Sequence, residues 1–459
     1  MRPILAVARL TFRAAFRFRL VPVLSVLLVA SVFLLPAFIK HTGKAQEFVQ
    51  IVLTYTLGLT TAVLGLTTLW LACGTLAGDI EECQMQVVAV KPIARWQIWL
   101  GKWLGIMMLN GLMLGVCAGA IYAQLQWRAR GLSQEQLDVL NNEVLVARSS
   151  FKESLPDLDP AVEEEYQKRL KNPAFAEMPR SEARRIIREQ LKAGLQVVPP
   201  AYTRVWRIDL GSVKSALAGR PLYLRIKFFV SDKSPSGTYW GLWEVGPPES
   251  PRRVQDVKNH AAETFYEFPV PPDMFDAAGL LTVEYTNQNE AAVLFPLEEG
   301  FEVLYRAGGF GLNYVRGVAI LFCWLALLAA LGLAAASFLS FPVAAFLALG
   351  LLIVAFSTGT MSLVIEQGTI REVNPNTGEV AKANLFDHVT VGFFKGLLGV
   401  INLVRGFSPI DSLSTGRSVS WTQLARAITQ IVLLMGGLFA ALGISIFTRR
   451  ELATAQGKG

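Results

Sequence analysis

DIEECQMQVVAVKPIARWQIWLGKWLG, residues 79–105, is a short, charged, proline-broken segment between two apolar runs, each long enough to cross a bilayer. A polar stretch flanked in this way belongs at a membrane surface, and the rest of the chain can be placed relative to it. It opens with Asp79, Glu81 and Glu82 and passes through an amphipathic middle. It closes on Lys91-Pro92-Ile93, Arg95 and Gly101-Lys102, where the next apolar helix begins. The competing reading is an ordinary polar loop between two membrane helices.

Composition supports a mixed molecule. The 459 residues are 52% hydrophobic and 17% charged. Mean hydropathy is +0.40, too apolar for an ordinary soluble protein, yet there is too much charge for a chain lying wholly in lipid. The formal charge of +7 is uneven: Trp127 to Phe310 holds 23 Lys+Arg against 26 Asp+Glu, and the remainder holds 20 against 10. The basic excess therefore belongs to the apolar part. That fits orientation by the positive-inside rule and argues against a nucleic-acid partner. Of Cys73, Cys83, Cys117 and Cys323, none falls between 127 and 310, so the chain offers neither a disulfide framework nor a CxxC metal pattern.

Residues 2–19 carry Arg2, Arg9, Arg13, Arg17 and Arg19 without an acid. At 100° per residue the first four share one arc, as in a helix lying on a cytoplasmic surface with Leu5, Phe12 and Phe16 toward lipid. A signal-peptide start is the rival reading. The following run, Leu20 to Ile39, is long for that, and no small-x-small site follows it. Further apolar runs cover Phe48 to Ala77 and Gly101 to Leu125. The latter contains Gly111, Gly115 and Gly119, a doubled GxxxG pattern for close helix packing, either within this chain or against a second copy.

The stretch 127–310 reads as an inserted soluble α+β domain. Residues 127–199 are rich in Glu, Arg, Lys and Gln and predict exposed helices. Residues 200–310 switch to period two. Leu222, Leu224, Ile226, Phe228 and Val230 share a face, and Val283/Tyr285, Val293/Phe295 and Val303/Tyr305 repeat the pattern. Turn clusters between these runs predict a β-sandwich of about seven or eight strands. Trp206, Tyr239, Trp240 and Trp243 are either an aromatic ligand platform or core.

After the hinge Gly308-Gly309-Phe310-Gly311, residues 311–452 resume the membrane pattern. Runs at Leu312 to Ser337 and Val343 to Ile365 form a hairpin, and a last run covers Leu424 to Phe447. Residues 389–407, interrupted by Lys395 and Arg405, suit a re-entrant or interfacial segment better than a span. The expected fold is thus an α-helical integral membrane protein. It has six transmembrane helices, an N-terminal interfacial helix, domains bounded at 1–126, 127–199, 200–310 and 311–452, and a tail at 453–459. With both termini cytoplasmic, that face holds 11 Lys+Arg against 4 acids, and 127–310 is extracytoplasmic. No GxxxxGK[ST], HExxH or GxSxG occurs, and His41, His260 and His388 are scattered. Neither a catalytic site nor a cofactor or metal site is expected. Glu366 and Lys102, at the ends of apolar runs, are expected to snorkel.

The acidic start, Lys91-Pro92-Ile93-x-Arg95 and Gly101-Lys102, set in this helical layout, resemble the cytoplasmic coupling loop of ABC-type exporter permeases of the second class. The resemblance covers Met1 to Leu125 and Leu312 to Leu452. Cys83 stands where that family commonly has a glycine. The resemblance implies a permease subunit in a bacterial cytoplasmic (inner) membrane, paired with an identical or different second permease chain. It further implies that ATP is hydrolysed by a separate ABC ATPase. That subunit would be engaged by helices within Ile80–Val90, with Glu81, Glu82, Lys91 and Arg95 as contacts. The rival is a membrane-anchored sensor or scaffold that holds out the β-sandwich without transport.

Overall fold

The computed structural model describes all residues except 1, 18–19, 39–44, 83–92, 155–156, 171–179, 218, 233, 368–384, 406 and 451–459. The chain divides into two compact units, Met1–Ala147 with Gly308–Gly459, and Arg148–Ala307. The second unit is narrower than the insert expected from composition.

The first unit begins with α1 (Arg2–Arg17), α2 (Leu20–Phe38), α3 (Ala45–Glu81), α4 (Arg95–Ala129) and α5 (Gln134–Glu143). In α1 the arginines at 2, 9 and 13 are exposed while Ala8, Thr11 and Ala15 are buried. These small residues let α1 lie directly on α4. A Cβ on Gly105 would come within 2.6 Å of the Ala8 carbonyl, and one on Gly101 within 2.6 Å of Val7 Cβ. Leu5 and Phe16 point outward as expected, whereas Phe12 packs against the core. Helix α4 starts where Ala94 is extended (φ −66°, ψ 142°), its N–H donating 3.3 Å to the Gln97 side chain. Ser133 caps α5 by accepting from Gln136 N–H, and Leu140 is buried among α3, α4 and later helices. Residues 127–147 therefore belong to the helical unit.

The second unit, entered within β1 (Val146–Phe151) at Arg148, contains α6 (Asp159–Arg169), α7 (Arg180–Gln196), β2 (Val197–Val198), β3 (Thr203–Asp209), α8 (Lys214–Leu217), β4 (Leu222–Ile226) and β5 (Phe229–Val230). After these come β6 (Thr238–Val245), β7 (Val254–Ala261), β8 (Tyr266–Val270), β9 (Leu280–Asn287), β10 (Val293–Leu294) and β11 (Phe301–Gly309). The strand orders are β1-β11-β4-β8, β2-β10-β5 and β3-β9-β6-β7. The registers of β3–β9, β6–β9, β6–β7, β4–β8 and β4–β11 are antiparallel. The period-two reading holds at Leu222, Leu224 and Ile226, which enter one core with Trp206, Trp243, Val283 and Phe295. The six strand residues of β1 and the pair β2 fall in the stretch expected to be helical. Helices α6 and α7 do appear there, packed through Val162, Tyr166, Ala183 and Ile187.

The first unit then resumes with α9 (Phe310–Ala336), α10 (Phe341–Phe356), α11 (Thr358–Gln367), α12 (Leu385–Arg405), α13 (Pro409–Ser414) and α14 (Trp421–Arg449). The middle of α14, Ile428–Gly436, is π-helical. The expected span 343–365 is broken at Ser357, in a Ser-Thr-Gly-Thr run of weak helix formers, where the Ser357 hydroxyl bonds back to Ile353 O. The half-apolar piece is one helix, α12, followed by the single turn α13. Four described helices are long and apolar enough to cross a membrane: Val49–Glu81, Arg95–Ala129, Phe310–Ala336 and Trp421–Arg449. Pro22–Leu35, Phe341–Phe356 and Val389–Leu403 are apolar but shorter. The chain is thus mostly helical and membrane-embedded in character, with a separate antiparallel β region.

Candidate functional site

The charged residues of the opening segment meet at a cluster of helix ends. Lys102, at the start of the third turn of α4, is 5% exposed. Its Nζ donates to Thr75 O at 2.7 Å and to Asp79 Oδ2 at 2.5 Å, so the last turns of α3 neutralise it. The expectation that Lys102 snorkels is corrected. An acid one helix away meets it, so the ammonium need not reach water. Glu81, at the end of α3, accepts from the Phe341 N–H at 2.8 Å and so places a carboxylate on the N-terminus of α10.

Arg95 opens α4 and reaches the end of α14. Its Nη1 lies 2.7, 3.0 and 2.6 Å from the carbonyl oxygens of Phe447, Thr448 and Arg450, with the guanidinium 5.9 Å above the Phe447 ring. A cation on the unpaired carbonyls of a helix C-terminus stabilises by about 0.3–1 kcal/mol when exposed and up to about 2 when partly buried. Arg450 Nη1 in turn donates 3.2 Å to Ser337 O at the end of α9. Behind these polar links, Trp99 is buried, and its Nε1 would lie 3.0 Å from a Cβ on Gly443 of α14. Both chain ends that lead into residues 83–92 are therefore fastened, α3 to α10 and α4 to α14.

Four contact residues were expected. Glu81 and Arg95 each have polar atoms engaged by the chain itself, Glu81 on α10 and Arg95 on α14. Glu82 is exposed beside them. Lys91, Cys83 and most of Ile80–Val90 lie outside the described residues, as does the tail 453–459. The sequence reading missed the roles of Lys102, Arg450 and the Phe341 amide. The detectable signal was Asp79 and Lys102, opposite charges at the facing ends of consecutive apolar runs.

The glycine stripe of α4 behaves differently from Gly101 and Gly105. A Cβ on Gly111 would meet the Phe322 ring at 3.5 Å, an ordinary contact, while Gly115 and Gly119 have nothing within 4 Å. Along most of the stripe no described residue of this chain packs closely.

Of the two readings of the aromatics in the β unit, the core reading holds for three of the four. Trp206, Tyr239 and Trp243 are buried, with Trp206 stacked on Phe301 at 4.4 Å. Of the four, only Trp240 is open, at 52% exposure. Strand alternation turns three of these rings into the core, where each contributes about 2–3 kcal/mol by burial. A recess of about 270 Å³, part of it open solvent, is lined by Glu153, Arg204, Trp206, Phe295 and Phe301. The part of it that a water could occupy is about 10 Å³, room for about one water molecule. Arg204 lies 4.8 Å over Trp206, and burial lowers its pKa against the opposing pull of Glu153 at 3.6 Å. Burial, and then Lys258, lower the pKa of His260, whose ring stacks 4.0 Å from Tyr266. Among the described residues no group of His, Cys, Asp and Glu is placed to hold a metal ion.

No protein-family model, curated protein sequence or solved structure matches this chain.

Proposed function

We propose that the chain is the membrane-spanning permease subunit of an ATP-driven ABC exporter, working with a second permease chain and a separate ABC ATPase. In this reading α2 and α10 complete six spans with the four long helices. Both termini face the cytoplasm of a bacterial cell, and the β unit lies outside the cytoplasmic membrane. The observation that carries the proposal is the fastening of α3 and α4 on either side of residues 83–92. A push on that segment reaches α10 through Glu81 and α14 through Arg95, so it would be shared among several spans instead of being absorbed in a loose loop. The residue order of the segment supports the same reading.

Glu81 and Arg95 transmit motion in this mechanism, and Glu82 and Lys91 are the proposed contacts with the ATPase. The test is co-purification of the tagged chain, in mild detergent, with the ABC ATPase encoded nearest to it. A stoichiometric complex that Glu82→Lys with Lys91→Glu disrupts is the expected result. A chain that purifies without an ATPase in every nucleotide state favours the membrane-anchored scaffold.

A further inference from the structure

We propose that Arg316 and the face of Trp421 form a binding site for one phosphate-bearing anion at the α9 N-terminal end of the membrane unit. The inference rests on the membrane-embedded character of the unit and is independent of the transport reading.

Arg316 lies in the second turn of α9 and is 9% exposed. The backbone of the segment it faces is fixed around it. Asn313 Nδ2 donates to Arg417 O at 2.7 Å, Val419 N–H donates to Asn313 Oδ1 at 2.7 Å, and a Cβ on Gly317 would meet Leu413 at 2.6 Å. Within this frame the guanidinium sits 5.5 Å over the Trp421 ring. Its Nε reaches Leu312 O at 3.4 Å, near the limit for a hydrogen bond. Among the described residues no carboxylate pairs with it. The other inward-facing cations of the unit are treated otherwise: Lys102 has Asp79, and Arg95 has three carbonyls. The terminal nitrogens of Arg316 make no hydrogen bond to any described residue, yet they are not sealed off as Arg204 Nη1 is. They therefore present a free fork of N–H donors to a ligand that can enter from outside.

The depth of the site selects the ligand. Trp421, 61% exposed, opens the span Trp421–Arg449, and tryptophan at such a position lies at headgroup level. Leu312 and Val315 are exposed on the flank of α9, where acyl chains would run. A guanidinium fork matches two oxygens of a phosphate, and an arginine without a partner near lipid gains most from an anion that brings its own charge. The shared chemistry is a phosphate monoester or diester, supplied either by an anionic lipid headgroup or by a soluble phosphoester.

The experiment is native mass spectrometry of the full chain, delipidated in detergent and titrated with phosphatidylglycerol, phosphatidylcholine and glycerol 3-phosphate. The expected result is one phosphatidylglycerol held about tenfold or more tighter than phosphatidylcholine, with a loss of similar size in Arg316→Gln and a smaller one in Arg316→Lys. Glycerol 3-phosphate that binds alone and displaces the lipid assigns the site to a soluble phosphoester. Failure to displace assigns it to the headgroup. If Arg316→Gln does not fold, the wild-type series decides. Equal retention of both lipids with no binding of glycerol 3-phosphate, or unchanged phosphatidylglycerol binding in folded Arg316→Gln, overturns the proposal.

Discussion

Lys102 is the residue on which the helix-end cluster depends most, because its ammonium is buried and Asp79 is its one acidic partner in an ion pair among the described residues. Removing one member of a buried pair costs about 3–5 kcal/mol, and the one-third exposure of Asp79 puts the expected loss for Asp79→Asn at about 3. Thermal unfolding followed by size-exclusion fluorescence should show a clear drop for Asp79→Asn. Lys102→Met with Asp79→Leu should recover much of it, since no charge is then stranded. A second residue-scale expectation concerns His260. Its pKa is lowered in the folded chain by burial and by Lys258, so the native state prefers the neutral ring. The stabilisation is complete above the unfolded value of about 6.5 and is lost as pH falls through the lower folded value. Unfolding of the β unit, followed by its tryptophan emission, should become easier below that pH. His260→Gln should flatten the acid limb; an unchanged limb would remove His260 from the account.

At the scale of elements, two glycine sets on one helix have opposite fates. Gly101 and Gly105 are closed by α1, whereas Gly115 and Gly119 are open. Spacing alone could not separate them, because both repeat every four residues and the difference is set by where a different helix lands. Gly105→Leu should detach α1 and sharply lower the amount of folded protein. Gly115→Leu should leave the fold intact, so any loss of self-association it causes would report a second chain on that face. Western detection of the folded fraction, with cross-linking for association, separates the two results. The β unit gives a parallel case. A Cβ on Gly241 would fall 2.2 Å from the Tyr285 ring, so Gly241→Val should cost several kcal/mol by overpacking a filled core, about 1–3 or more. Strand alternation at Leu222, Leu224 and Ile226 was legible, because burial on one face writes itself directly into period two. The inward turn of Trp206 and Trp243 was not, since an aromatic at an alternating position suits either face until the register is known.

For the whole molecule, hydropathy located the four long helices to within a turn or two and the C-terminal boundary of the polar insert to within a few residues, but placed the start of the insert at 127 where the second unit begins at Arg148. Hydropathy found the helices because a lipid span needs a long unbroken apolar run. It was less informative for 343–365, where weak helix formers divide the run, and for 127–147, where polar residues fold back onto the helical unit. The candidate site was half legible. Opposite charges at Asp79 and Lys102 mark a membrane-surface segment, but the attachment of Arg95 to α14 joins residues more than 350 positions apart and leaves no local trace. That attachment is central to the account, since it links residues 83–92 to the last span. The most direct test is ATPase activity of the reconstituted complex in lipid, wild type against Arg95→Ala. The account predicts that Arg95→Ala still assembles with the ATPase and keeps its basal hydrolysis, but loses most of the stimulation that the permease provides. Full stimulation in an assembled Arg95→Ala complex would contradict it.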